Sequence, residues 1–308
     1  MLGPVLLRAS RSTRLRSAVE ANGITRKVVN RFVAGEEDDA AVTAARHLHA
    51  RGLTTTLDFL GEDVTDHAGA RAVRDRYLAL LLRMHEAGAA EVAEVSVKLS
   101  ALGQALPGDG HTIALSHVRE ICVAAEAVAC QVTLDMEDHT TVDSTLEIAG
   151  LLRSEFPTTG TVLQANLRRT PSDLAALSRS GVRVRLVKGA YREPKGVAHQ
   201  RKAEVDEAYA HGLRVLMAST CYPMIATHDP VMLREAVTAA ARYDRSASDW
   251  EIQMLYGVAG RLRDEYATQG CQVRIYVPFG TDWYGYFMRR LAERPANLTF
   301  FLRALARG

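Results

Sequence analysis

The chain has 308 residues with 47% hydrophobic and 24% charged side chains and a formal net charge of +2. That length and composition suit one large globular domain or two ordinary ones, and bury enough apolar surface to need no covalent staples. The near-neutral balance argues against a nucleic-acid footprint, and no apolar run approaches the ~20 residues that span a bilayer. Cys122, Cys130, Cys221 and Cys271 form no CxxC pair and match no zinc spacing, so they read as small buried hydrophobes in a reducing cytoplasm.

The apolar start Met1–Leu7, followed by Arg8, Arg11, Arg14 and Arg16, reads as a helical arm rather than a signal peptide. Residues 1–53 contain no strand pattern, and 34–39 read as a turn followed by a helix start. From residue 54, short β-rich runs alternate with helical stretches such as Ala68–Ala87 and Ser172–Arg179. The runs are Thr54–Leu60, Val95–Leu99, Val132–Met136, Val162–Asn166, Val182–Val187, Met224–His228, Ile252–Tyr256 and Val273–Val277. Eight βα units predict a closed (βα)8 TIM-type barrel, with a doubly wound open sheet as runner-up. The expected layout is a helical arm over 1–53 and one catalytic domain over 54–308.

In such a barrel the chemistry gathers at the C-terminal ends of the strands. Polar residues fall there in seven runs: Lys98; Asp135 with Glu137, Asp138 and His139; Gln164 and Asn166; Arg185 and Lys188; Thr227 and His228; Gln253; Arg274 and Tyr276. Singly, each is more simply a surface or satisfied core group. Together they describe a polar pocket, because burying so many without partners is costly. The Asp135–His139 stretch also suits a divalent metal, which makes a metal-dependent lyase or hydrolase the alternative, although Lys98 and Arg185 would crowd a cation there. His47 and His49 precede the barrel and read as a solvated helix face.

After the last run, Thr281 or Asp282 can cap a helix on which Tyr286, Arg289, Arg290 and Glu293 share one face. Tyr284, Phe287, Met288 and Leu291 share an apolar one. Paired arginines form a bidentate fork for a carboxylate.

The blocks Lys98-Leu99-Ser100, Asp135-Met136-Glu137, Arg185 to Tyr191, Ala226-Thr227-His228, Gln253 to Gly257 and Tyr276 to Arg290 resemble the signature blocks of the proline dehydrogenase family, in order, over roughly residues 50–305. The resemblance implies a distorted (βα)8 barrel with a C-terminal helix over the active site. It further implies non-covalent FAD, and oxidation of L-proline to Δ1-pyrroline-5-carboxylate by hydride transfer to flavin N5. By the match, Lys98, Arg289 and Arg290 hold the proline carboxylate, and Asp135 orients that basic group. Leu255, Tyr276 and Tyr286 wall the ring, with Ala190 and Tyr191 nearby, and Glu293 holds the arginine pair. Asp135, Met136, Gln164, Arg185, Val187, Lys188, Gly189, Ala190, Thr227 and His228 contact FAD, Arg185 near N5 and Lys188 and His228 toward the pyrophosphate. Of these, Lys98, Asp135, Arg185 and Tyr276 are the expected catalytic group. The sequence departs from many relatives at Arg192, where they carry Trp, and at Asp229, where they carry Asn. The resemblance also implies a quinone acceptor met at the membrane surface, with the basic Arg8–Arg16 helix as a candidate contact for a cytoplasmic protein. The product would pass to a separate pyrroline-5-carboxylate dehydrogenase. Hydroxyproline is the rival substrate, disfavoured by Tyr276 over the ring. A non-catalytic amino-acid or flavin-binding barrel is the remaining reading.

Overall fold

The computed structural model describes residues 29–61 and 64–293, with side chains as far as Met288. Eight parallel strands close into one barrel in chain order, the ring shut by pairing of the last strand with the first. The strands are β1 (Thr54–Phe59), β2 (Ala93–Val97), β3 (Gln131–Leu134), β4 (Gly160–Gln164), β5 (Arg183–Val187), β6 (Tyr222–Ala226), β7 (Glu251–Leu255) and β8 (Val273–Phe279). Helix α1 (Asp38–His49) precedes the barrel, and α2 (His67–Glu86), α3 (Gly110–Ala127), α4 (Val142–Arg153), α5 (Thr170–Leu177), α6 (Lys202–Ala218), α7 (Pro230–Arg242), α8 (Gly260–Thr268) and α9 (Trp283–Glu293) follow successive strands. His47 and His49 lie exposed on α1, as expected of a solvated face. The Arg8–Arg16 segment lies outside the described residues.

Side chains alternate across each strand. Outward residues such as Leu57, Val95, Val97, Leu186, Ile252, Ile275 and Val277 are buried against the helices and form the main core. The inward positions carry polar pairs: Thr56 and Asp58, Glu94 and Ser96, Arg183 and Arg185, Glu251 and Gln253, Arg274 and Tyr276, all buried except Tyr276, which is partly so. Strands covered on both faces need near-continuous burial, and β2 and β4 are buried at every position.

Helix starts follow capping chemistry. Asp66 accepts from the Gly69 backbone N–H at 2.8 Å to open α2, and Asp229 accepts from that of Val231 at 3.0 Å to open α7, with Pro230 at the first helical position. The α6 end is closed by Arg245, whose guanidinium donates to the carbonyls of Leu216, Met217, Ser219, Cys221 and Asp249 at 2.5–3.4 Å. It thereby ties α6, the start of β6 and the loop before β7 together, using helix-end carbonyls that otherwise lack partners.

A second, smaller core lies above the barrel. Val29, Phe32 and Val33 pack with Leu60, Val258 and the α9 residues Trp283, Tyr284, Tyr286, Phe287 and Met288. Gly257 shows how close this approach is. Its φ is +71°, and a Cβ there would lie 1.7 Å from the Arg31 carbonyl oxygen, so only glycine fits.

Most strands begin or end one to three residues earlier than the apolar runs suggest. Lys98, Asp135, Met136, Asn166, Thr227 and His228 lie just beyond the ladder, in the loops that leave the barrel. The β-branched and apolar residues on either side extend the run in sequence without extending the pairing. Glu137 therefore shares no strand face with Asp135.

Replacing Arg245 with Met is expected to lower unfolding stability by ~2–3 kcal/mol, the cost of stripping a charged donor from several carbonyls. Urea denaturation followed by circular dichroism checks it; a change under ~0.5 kcal/mol would contradict the clasp.

Candidate active site

The C-terminal mouth of the barrel opens into a cavity of about 460 Å³, within the range of small-molecule sites. Lys98, Asp135, Met136, Gln164, Arg185, Val187, Lys188, Gly189, Ala190, Thr227, His228, Leu255, Tyr276 and Tyr286, all named from the sequence, line it together with Tyr191. The side chains of Arg289, Arg290 and Glu293 lie outside the described residues. The cavity also takes Asp58, which the sequence reading left out, and Val162, Ala226 and Met254, to which it gave no role in the site. Asp58 is the important omission, since it follows an otherwise unremarked Thr-Thr-Leu strand and its partner is 40 residues away.

The central group is Arg185, 2% exposed. Its Nε donates to Gln253 Oε1 at 2.6 Å. Nη1 donates to Ser96 Oγ at 2.8 Å and to Asp135 Oδ1 at 2.7 Å, and Nη2 donates to Glu94. Tyr276 hands its hydroxyl proton toward Asp135 Oδ2 at 2.6 Å, and its ring lies under the guanidinium, centroid 5.4 Å from Cζ. Lys98 Nζ sits 2.5 Å from Asp58 Oδ1 and 3.9 Å from Asp135 Oδ2. Asp135 thus lies between the two cations and closest to Arg185. Burial would lower the Arg185 pKa, but Glu94 and Asp135 outweigh it and keep the guanidinium firmly charged. Burial, followed by the Asp135 and Asp58 charges, pushes the Tyr276 hydroxyl well above its ordinary value, so it remains a donor.

Below this group runs an ionic layer. Glu94 also accepts from Thr56 at 2.8 Å, Thr133 at 2.7 Å and Arg183 at 3.4 Å. Arg274 does not reach the mouth as the sequence reading placed it. It stays in this lower layer, donating to Glu251 Oε1 and to the Thr55 carbonyl, each at 2.8 Å. Burial raises the Glu94 pKa, but Arg185, Arg274 and Arg183 reverse that and hold it at about 2.

The Asp135–His139 stretch does not converge on a metal. Asp135 serves Arg185 and Tyr276. Glu137 accepts from the Ser100 N–H and hydroxyl at 3.1 and 2.6 Å. Asp138 accepts from the Thr140 N–H at 2.8 Å, and His139 Nδ1 pairs with Glu193 at 2.5 Å. Among the described residues no group of three or more His, Cys, Asp or Glu side chains is arranged to hold a metal.

On the opposite wall, Gly189 has φ +102°, and a Cβ there would meet Asn166 Oδ1 at 2.0 Å. Gln164 donates through Nε2 to the Glu137 carbonyl at 2.5 Å, which fixes its amide and turns Oε1 into the buried wall with no protein donor among the described residues. Lys188 Nζ is held by Asp206 at 2.5 Å and by Asp229 at 2.9 Å. His228 Nε2 accepts from the Leu255 N–H at 2.9 Å, pinning the β6 exit to β7.

The family model described as "Proline dehydrogenase" matches residues 41–303. The chain belongs to the proline dehydrogenase family. It is 37% identical over 283 residues to the proline dehydrogenase of Deinococcus radiodurans, with 91% of each chain covered. It is 36% identical over 307 residues to proline dehydrogenase 1 of Bacillus subtilis strain 168, with 99% of each covered. In three dimensions it superposes with a TM-score of 0.82 on the crystal structure of proline utilization A from Bdellovibrio bacteriovorus inactivated by N-propargylglycine, at 25% identity over 87% of this chain and 33% of that one. This chain spans about a third of that longer protein. The barrel is therefore a proline dehydrogenase fold, and the chain an oxidoreductase of proline catabolism.

The Glu94 pKa lies below its unfolded value of 4.5, so its contribution to stability is complete above pH ~4.5 and is lost as pH falls toward ~2. Acid unfolding across that window should take up about one proton fewer in Glu94→Gln than in the native protein, measured from the pH dependence of urea-unfolding free energy. Equal slopes would contradict a charged Glu94.

Proposed function

We propose that this chain oxidises L-proline to Δ1-pyrroline-5-carboxylate with non-covalent FAD as the immediate acceptor and a membrane quinone as the onward one. The observation that carries the cofactor reading is that Gln164, Arg185, Lys188 and Gly189 line one cavity together, with the Gln164 amide fixed through Nε2. That set of a fixed amide, two cations and bare backbone suits a planar heterocycle carrying phosphates, as FAD is. Gly189 supports the same reading, since its wall has no side chain to hold such a ring away. Arg185, fixed by four strands, supplies positive charge where negative charge develops on reduction. Lys188 faces the same cavity and suits the cofactor's phosphates, with Asp229 and Asp206 holding its ammonium in place.

Flavin supplies the two-electron acceptor, and the chain supplies placement. Proline loses a hydride from the ring carbon next to nitrogen and a proton from nitrogen, leaving the C=N bond. The chain must hold that carbon toward the cofactor and exclude water. Lys98 and Arg185 already have carboxylate partners in Asp58, Asp135 and Glu94. The substrate carboxylate is therefore assigned mainly to Arg289 and Arg290 on α9, with Glu293 holding them and Lys98 completing the site. Leu255, Tyr276 and Tyr286 form the ring wall, and the Tyr276 hydroxyl is engaged by Asp135. A hydroxyl added to the substrate ring would meet this wall without a free partner, which favours proline over hydroxyproline. The product is the substrate of a pyrroline-5-carboxylate dehydrogenase. Among the described residues no helix is long and apolar enough to cross a membrane, and the proposed quinone contact is peripheral, from the cytoplasmic face.

The test is the visible spectrum of the purified protein before and after anaerobic L-proline. A flavin spectrum bleached by proline, and far less by equal hydroxyproline, is expected. Flavin that stays oxidised rejects the substrate, and no flavin after adding FAD rejects the cofactor.

Arg289→Ala and Arg290→Ala should each lose ~2–4 kcal/mol of substrate interaction, because the remaining buried charges are left unpaired. FAD content should stay near normal. Near-native kcat/KM for proline in both variants would remove the carboxylate clamp.

A further inference from the structure

The site at the mouth uses Arg185, but it does not explain the charged layer underneath. Glu94 is fully buried at 0% exposure, one step deeper on β2 than Ser96. Both its oxygens are engaged: Oε1 by Arg185 and by Thr56 at 2.8 Å, and Oε2 by Thr133 at 2.7 Å and Arg183 at 3.4 Å. Filling space at this depth needs no ion, since Met224 occupies the neighbouring lumen position on β6 without one. Burying an anion is favourable only with strong partners. Arg185 joins the two layers, reaching down to Glu94 and up to Asp135, and Gln253 joins them beside it by donating to Glu251 at 2.6 Å. Its charge toward the cavity is therefore offset from two sides, one in the site and one beneath it.

We propose that Glu94 is a positioning residue that limits how much positive charge Arg185 presents to the flavin, and so holds down the cofactor's affinity for electrons. This rests on the FAD reading above. A reduced flavin carries negative charge, and an uncompensated guanidinium beside it would retain electrons. With Glu94 ionised below, Arg185 still anchors the ring while electrons leave more readily for the onward acceptor. Removing one unit charge from beneath Arg185 should change binding of an anion to the ring by about tenfold.

Sulfite reports this charge directly. Its sulfur lone pair forms a bond to flavin N5, and the displaced electron pair settles on the pyrimidine side of the ring. The adduct is anionic, and no other reactant is needed. In the FAD-loaded enzyme, Glu94→Gln should bind sulfite about tenfold more tightly than the native protein, equivalent to a rise of ~30 mV in the two-electron potential. Glu94→Asp, which keeps the charge, should stay within about twofold of native. Should the Gln variant not fold, the charge-balanced Glu94→Gln/Arg183→Gln pair is compared with Arg183→Gln alone, and the same tenfold tightening is expected. Unchanged or weaker sulfite binding in these comparisons overturns the proposal. The native holoenzyme separates the two readings. If proline bleaches its flavin while sulfite binding ignores Glu94, only the inference about Glu94 fails. If no flavin binds, or proline does not bleach it, the underlying reading fails and the inference falls with it.

Discussion

A guanidinium sealed inside a barrel has to be neutralised where it lies, and Arg185 is neutralised by groups from four other strands. Glu94 and Ser96 come from β2, Asp135 from the exit of β3, Gln253 from β7, and Tyr276 from β8 reaches it through Asp135. Leaving any one of those carboxylates buried without the cation, or the cation without them, carries the penalty of an unpaired buried charge, which is larger than the worth of most packing contacts. The constraint couples fold to function. The strands must close in their observed register for Arg185 to be satisfied, and that closure also brings Asp135, Lys98 and Asp58 together at the mouth.

The lumen is thus two polar storeys with different duties. In the lower one, Glu94 and Glu251 are shared among Arg183, Arg185 and Arg274, and the stacking of Arg183 on the Tyr222 ring at 4.5 Å helps hold it in line. In the upper one, the same alternation places Ser96, Arg185, Gln253 and Tyr276 against the cavity. Because residues two apart along a strand face the same way, each strand that contributes to the site also contributes to its foundation. The two storeys are linked through Arg185 to Glu94 and through Gln253 to Glu251.

The closed barrel was legible because the β-rich runs and the helical periods alternate without interruption from residue 54. The site was legible in part because polar residues cluster just after those runs. Glu94, Asp58 and Arg274 show why the rest was not. A single charged residue in a short strand gives no local sign of which way it faces or how deep it sits. The partners are set by closure: Glu94 and Arg185 are 91 residues apart and meet only once the strands between them have wrapped the barrel. The strand ends were misplaced for a related reason. At the mouth, residues such as Val97-Lys98-Leu99 continue the apolar pattern while the backbone already turns away to present the lysine, and periodicity cannot separate pairing from proximity. The Asp135–His139 stretch misleads in the opposite direction. Its side chains are adjacent in sequence but diverge to Arg185, Ser100, Thr140 and Glu193 once the strand has ended at Leu134.

The helix over the mouth, α9, takes its hydrophobic partners to one side of the cavity. It finds them in Val29, Phe32 and Val33, which precede the barrel, and in Leu60 and Val258 from the loops after β1 and β7. Phe32 meets Phe287 with ring centroids 6.2 Å apart, and Arg31 closes over Gly257 with its Nε donating to the Gly257 carbonyl at 3.3 Å. The helix is therefore secured by its apolar face outside the cavity, while Tyr286 on its other flank lines the cavity itself. In the sequence, Arg289 and Arg290 follow Tyr286 by three and four residues, the helical spacing on which the proposed carboxylate clamp relies. Segments far apart in the chain thus meet above the barrel, and their packing sets the position of the helix to which the proposed carboxylate clamp belongs. On the proposed reading, stability of this small upper core and the affinity for substrate are therefore linked, whereas the ionic layer below bears on the cofactor through Arg185.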